Sequence, residues 1–129
     1  MEIKFDMVGI VVENMNKSLD FYRLLGLEIP KEANQEPHVE VKQGELRLAF
    51  DTLETIKSIY GEWEKPTGHR LELAFLCEDV DQVYQTLINN GYIGFREPWD
   101  AFWGQRYAIV QDPDDNLISL FAPLSSTHE

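Results

Sequence analysis

Apolar and polar positions along this chain fall into a strand-like pattern followed by a helix-like one, and that succession occurs twice. VGIVV (8–12) and LAFL (73–76) are continuous apolar runs, too short for a helix bounded as these are, and read as buried strands. An Asn or Asp cluster follows each run and suits a helix N-cap. Apolar residues then recur at helical spacing: Met15, Leu19 and Tyr22 in the first copy, Val80, Val83, Tyr84, Leu87 and Ile88 in the second. Each predicted helix stops at a glycine, Gly26 or Gly91, as a C-terminal cap would. The copies are offset by 65 positions, from Met7 on Glu72 to Gly26 on Gly91.

Three more strand-like stretches are expected behind each helix. In the first half they are LEIP, HVEVK and ELRLAF, the last two separated by a turn at Gln43 and Gly44. In the second they are YIGF, RYAIV and NLISLF, with Asp112 to Asp115 forming the last turn. The predicted fold is a single α+β domain over 1–129. Two tandem βαβββ modules, about 4–51 and 69–122, form a curved mixed sheet with a cleft, joined by a linker over 52–68 that contains a short helix and the breakers Pro66 and Gly68. Strand parity sets Met7, Gly9 and Val11 on the cleft side with Glu72, Ala74 and Leu76, and turns Val8, Ile10, Leu73 and Phe75 toward the helices.

Composition narrows the function. With 129 residues, 43% of them apolar, the chain can bury one sizeable core. Its net charge of −12 repels phosphate backbones and anionic lipid, so neither nucleic acid nor membrane is expected as a partner. No window approaches the roughly 18 apolar residues of a membrane span, and MEIKFD lacks the character of a signal peptide. A cytoplasmic location is the expectation. The lone Cys77 excludes an intrachain disulfide and reads as inert core.

FDMVGIVVENMNKSLDFYRLLGL, followed much later by WGQRYAIVQDPDDNLISLF, resembles the glyoxalase, bleomycin-resistance and extradiol-dioxygenase superfamily, the vicinal-oxygen-chelate fold, over Phe5 to Phe121. The resemblance implies a divalent metal held by up to four side chains, one on the first and one on the last strand of each module. Here those positions are Met7, Glu72, about Leu48 and Ser119, the last two by aligning Gly44 with Asp115. A thioether, an aliphatic chain and a hydroxyl are poor ligands for Zn, Ni, Mn or Fe(II), so no metal and no other cofactor is expected, with a divalent metal as the alternative. His69 stands three residues before Glu72, an odd number, and on a strand the two face apart. His38 with Glu72 would make only a two-ligand site, and His128 lies in the tail.

Other catalytic patterns are missing: no GxSxG, phosphate-binding glycine loop, HExxH or CxxC occurs. Asp112, Asp114 and Asp115 lack the remainder of a calcium loop and read as turn residues, Asp115 being able to take a left-handed conformation. Aromatic residues are abundant instead, with Trp99, Phe102, Trp103 and Tyr107 close together and Tyr60 and Trp63 in the linker. The stretch from Trp103 and Gly104 onward resembles the bleomycin-resistance proteins, metal-free members that bind a cationic antibiotic between two subunits. The expected function is therefore metal-free binding or sequestration of a polar or cationic aromatic ligand by a homodimer. Met7, Leu48, Glu72, Trp99, Phe102, Trp103, Tyr107 and Ser119 would line the site, with Glu72 supplying charge or pairing with Arg70 or Arg106. The alternative is a lyase, isomerase or dioxygenase with an atypical metal site or with Glu72 as general base.

Overall fold

The structure, a computed structural model, describes residues 1–64, 69 and 71–124. Pro66, Gly68, Arg70 and His128, named above, lie outside the described residues. The chain divides into two compact units, Met1–Pro66 and Thr67–Glu129. Each is a sheet carrying helix on one face.

In the first unit the elements run β1 (Val8–Val12), α1 (Met15–Leu24), a 3-10 turn (Lys31–Gln35), β2 (His38–Gln43), β3 (Leu46–Thr52) and α2 (Leu53–Tyr60). The sheet order is β1-β3-β2, with β1 parallel and β2 antiparallel to the central strand. The second unit has β4 (Glu72–Leu76), α3 (Val80–Asn89), β5 (Ile93–Ala101), β6 (Gln105–Gln111) and β7 (Leu117–Pro123) in the order β4-β7-β6-β5, again with the first strand parallel to the last. The α+β class and the tandem arrangement thus stand, and the short linker helix is α2.

The helix boundaries repeat atom for atom. The Asn14 side chain accepts from the Lys17 N–H at 3.0 Å, and the Asp79 side chain accepts from the Gln82 N–H at 3.0 Å. Both fill one of the orphan donors of a first turn. At the other ends Gly26 (φ 94) and Gly91 (φ 90) take the left-handed conformation. The N–H of Leu27 returns to the Tyr22 carbonyl, and that of Tyr92 to the Leu87 carbonyl, so both helices close in a Schellman motif.

One predicted strand does not form. LEIP is expected to be extended and paired, but residues 27–30 carry no ladder. Leu27 and Ile29 are buried, so their hydrophobicity is used. The carbonyls of Ile29 and Pro30 are claimed by Arg23, whose Nε and Nη2 donate to them at 2.8 Å each, while a second Nη2 bond reaches Asn34. Pro30 has no N–H to offer a neighbour. The first unit is therefore βαββ with a 3-10 turn, and only the second is the full βαβββ.

The core of each unit lies between sheet and helix. In the first, Ile10, Val12, Val39, Val41, Leu48 and Phe50 face Leu19 and Tyr22 of α1, and the Tyr22 and Phe50 rings meet at 5.1 Å. In the second, Ala108, Val110, Ile118 and Leu120 face Val80 and Leu87. Gly94 on β5 makes room for the tip of the Tyr84 side chain of α3: a Cβ there would sit 2.1 Å from the Tyr84 Oη. Removing these side chains from water is the main stabilising term, about 25 cal/mol per Å2 of apolar surface.

Candidate functional site

Parity leaves the opposite face of each sheet open, and the two faces differ in kind. In the first unit β2 presents His38, Glu40 and Lys42 between the buried Val39 and Val41, and β3 adds Arg47, Ala49 and Asp51. His38 holds two carboxylates, Asp51 through Nδ1 at 2.5 Å and Glu40 through Nε2 at 2.8 Å. Arg47 holds Glu40 at 2.8 Å and also Asp6. The hydrogen bond to Glu40, then that to Asp51, raises the His38 pKa above its ordinary value. The bond to His38 and the charge of Arg47 lower that of Glu40. Both ring nitrogens of His38 are thus engaged by carboxylates.

The second unit's open face is aromatic. Register sets Trp99 beside Tyr107 and Tyr107 beside Phe121 across β5, β6 and β7. The Trp99 and Tyr107 rings meet edge to face at 5.4 Å, and Tyr107 lies over Phe121 at 6.5 Å. Trp103, in the tight turn between β5 and β6, closes on Tyr107 at 5.2 Å, and its Nε1–H donates to Gln105 at 2.7 Å. Such edge-to-face pairs are favoured by the ring quadrupoles. Gly104 (φ 92) makes the turn possible, its N–H returning to the Ala101 carbonyl. Phe102 stands at the tip, 97% exposed, its ring meeting that of Trp103 at 5.0 Å.

Glu72 opens β4 at the side of this surface. Its Oε1 accepts the Ser119 hydroxyl at 2.5 Å and, at a longer 3.4 Å, the Tyr107 hydroxyl. Ser119 is buried, 1% exposed, on β7 next to β4. Both donors use one oxygen, so among the described residues Oε2 keeps its acceptor capacity. Arg106, suggested above as a partner of Glu72, lies on the helix side. It donates twice to Asp81 on α3 at 2.9 Å and once to Asp100 at 3.0 Å, which raises its pKa further.

Glu72, Trp99, Trp103, Tyr107 and Ser119 are thus brought together, with Phe102 at the rim. Met7 falls on the open face of the first unit, just before β1. Leu48 does not fall on that face. It is 4% exposed and pairs with Val8 and Val41 on the core side. The residue that pairs as Ser119 does is Ala49, beside Gly9, where Ser119 lies beside Ala74. The sequence alignment is one position out because β3 holds one more residue than β7 between its turn and the partner of the unit's first strand: Ala49 follows Gly44 by five positions and Ser119 follows Asp115 by four.

The donor set therefore does not fit a divalent metal. Met7 offers a thioether, Ala49 nothing, and Ser119 spends its proton on Glu72; none supplies the imidazole, carboxylate or thiolate that such ions select. Among the described residues no cluster of three or more His, Cys, Asp and Glu could hold one. His69 packs its ring against Phe95 at 6.3 Å instead. Asp112 is a turn residue: its Oδ1 accepts the N–H groups of Asp114 and Asn116, and Asp115 takes φ 68. Burial raises the Cys77 thiol pKa, as suits an inert side chain. A groove of about 490 Å3 on the helix side, between α3 and β5, is lined by Asp81, Tyr84, Glu97 and Arg106 among others. Its Asp81 and Arg106 charges are paired with each other.

A sheet with helix on one side and an open opposite face, built twice in tandem, defines a class. A profile of the Glyoxalase/Bleomycin resistance protein/Dioxygenase superfamily matches residues 4–120, and the chain belongs to that superfamily. It is 31% identical to the uncharacterized protein YraH of Bacillus subtilis over 128 residues, covering 95% of this chain and 100% of that one. Among solved structures, a superfamily member from Sphaerobacter thermophilus is 28% identical with a TM-score of 0.68, covering 93% of this chain and 98% of that one. A family enzyme from Burkholderia phytofirmans shares the fold at 17% identity, with a TM-score of 0.77 and 92% and 98% coverage. Among the described residues no helix is long and apolar enough to cross a membrane.

Sequence reasoning did not single out Phe121, Gln105 or Arg96 of this face. Phe121 was legible as an apolar strand residue but not as a floor. Arg96 gave no signal, because its orientation depends on an irregularity of β5.

Proposed function

We propose that the chain binds and sequesters a small polar or cationic aromatic molecule on the aromatic face of its second unit, without a metal. The observation that carries this is Glu72: a carboxylate held through one oxygen at the side of the Trp99, Trp103, Tyr107 and Phe121 rings, with the other oxygen available. Aromatic faces attract a cation and a planar body, and the carboxylate orients a donor group. We further propose that the protein acts in the cytoplasm as a homodimer, a reading supported by the exposed Leu76, Ile93 and Phe95 on the second unit.

Benzylamine, an aromatic cation, is the probe. Calorimetric titration should give a Kd on the order of 1 mM, as befits a ligand of so few atoms. Trp103→Ala should weaken it several-fold while the fold is kept, and Glu72→Gln should abolish it. Equal affinity in all three proteins would remove this face from the reading. The same free Oε2 supports a second reading, in which Glu72 is the general base of a lyase or isomerase. Turnover of a carbonyl substrate that is lost in Glu72→Gln would favour it over binding alone.

A further inference from the structure

The aromatic face also carries a positive end. The guanidinium carbon of Arg96 lies 3.5 Å from the Trp99 ring centroid. Register places Arg96 opposite Ile109, which lies opposite Ser119, so its side chain shares the open face with Glu72. In a chain with 23 acids and 11 bases, Arg23, Arg47 and Arg106 are each paired with carboxylates. Among the described residues, no carboxylate pairs with Arg96. A guanidinium stacked on a ring is held flat and keeps its in-plane N–H groups for a planar acceptor. An Arg fork presented this way matches a carboxylate two bonds at a time.

We propose that Arg96 is a specificity-determining residue of this site, and that the ligand is dipolar: a planar body with a hydrogen-bond donor or cationic group toward Glu72 and a carboxylate-like anionic group toward Arg96. This rests on the reading of the face given above. Glu72 and Arg96 lie on strands at opposite sides of the sheet; the Glu72 side chain reaches inward to Ser119 and Tyr107, whereas Arg96 lies along its own strand over Trp99. Their charged ends are separated by two to three strand spacings, roughly 10–14 Å at about 4.8 Å each. Hydrogen bonds of about 3 Å at both ends leave about 4–8 Å between the ligand's polar groups, the span of a para-disubstituted benzene. One face of Trp99 is taken by Arg96, so the ring that receives the ligand's body is Tyr107 or Trp103. The arrangement discriminates by sign at both ends: a ligand with carboxylates at both would meet Glu72, and one with ammonium groups at both would meet Arg96.

The test compares 4-(aminomethyl)benzoate, benzylamine and benzoate by calorimetric titration of the full chain. The aminomethylbenzoate should bind about tenfold tighter than benzylamine, and benzoate should be weakest. Arg96→Gln should erase the tenfold advantage and leave benzylamine affinity unchanged or slightly improved. Arg96→Lys, which keeps charge without the fork, should retain only part of it. Equal binding of aminomethylbenzoate and benzylamine to the wild type, with both lost in Glu72→Gln, would overturn the role of Arg96 and leave the cation-binding reading standing. No binding of any probe would overturn both. Equal weakening of the two amines in Arg96→Gln would show that Arg96 only shapes the Trp99 surface, and would also overturn the proposal. Because Arg96 is exposed, unchanged thermal unfolding of the variants is expected and is measured alongside.

Discussion

Truncation of Ser119 to alanine isolates what the 2.5 Å bond to Glu72 contributes. A hydroxyl donating to a carboxylate contributes about 1.5–3 kcal/mol where both groups are shielded. Ser119 is buried but Glu72 is exposed, so water replaces the lost donor and the net loss falls to about 1 kcal/mol. No orphan is left behind, since alanine removes the donor, and the backbone of β7 stays in its ladders with β4 and β6. For a chain of this size about 1 kcal/mol corresponds to a fall in Tm of roughly 3–6 °C. The effect on binding is separate. A Glu72 carboxylate free to rotate must be ordered by the ligand, and about 1 kcal/mol there weakens benzylamine about fivefold. Circular dichroism melting and calorimetric titration read the two quantities independently. Ser119→Ala with wild-type affinity, set against Glu72→Gln with none, would show that Glu72 needs no positioning and would refute the reasoning.

Three further outcomes are expected. Gly94→Ala should destabilise by about 1 kcal/mol, seen as a lower urea midpoint, because a Cβ 2.1 Å from the Tyr84 Oη and 3.1 Å from the Ile88 Cδ1 forces the Tyr84 side chain out of its place against β5. The His38 pKa is raised by its bonds to Glu40 and Asp51, so its stabilisation is full below about pH 6.5 and is lost as pH rises through the folded value. The stability gap between wild type and His38→Gln should therefore narrow from pH 6 toward alkaline pH in urea unfolding. Plasma mass spectrometry after exposure to Zn, Ni, Mn and Fe(II) should find far less than one metal per chain; a stoichiometric metal lost in Glu72→Ala would overturn the donor argument.

What could be read from the sequence was what local chemistry dictates. Asn14 and Asp79 sit where a cap must be, and Gly26 and Gly91 where a left-handed residue must be, so helix ends needed no tertiary information. Parity carried Met7 and Glu72 to the open faces for the same reason. It could not report Arg23 reaching seven residues on to take the Pro30 carbonyl, which removes a strand that hydrophobicity alone would predict. Nor could it fix the register of two hairpins with unlike turns, and Leu48 was misplaced by one residue on that account. The charged face of the first unit was latent in the alternation of HVEVK, whereas the bonds joining His38 to Asp51 are made across strands.

The pairing of β5 with β6 is irregular twice, between Gly94 and Arg96 and again between Arg96 and Trp99. Each irregularity adds one residue to β5 that β6 does not match. Arg96 and Trp99 are an odd number apart, and in a regular strand they would point to opposite sides. The extra residue is what lets one lie on the other. The positive end of this surface is thus encoded by a count of residues as much as by their identities. Removing the extra residue would restore the even spacing of a regular ladder and keep both on one face, whereas losing the irregularity with the residue count unchanged would turn one of them to the other side of the sheet. Relatives that retain both residues at this spacing but pair β5 regularly should therefore differ in what they bind.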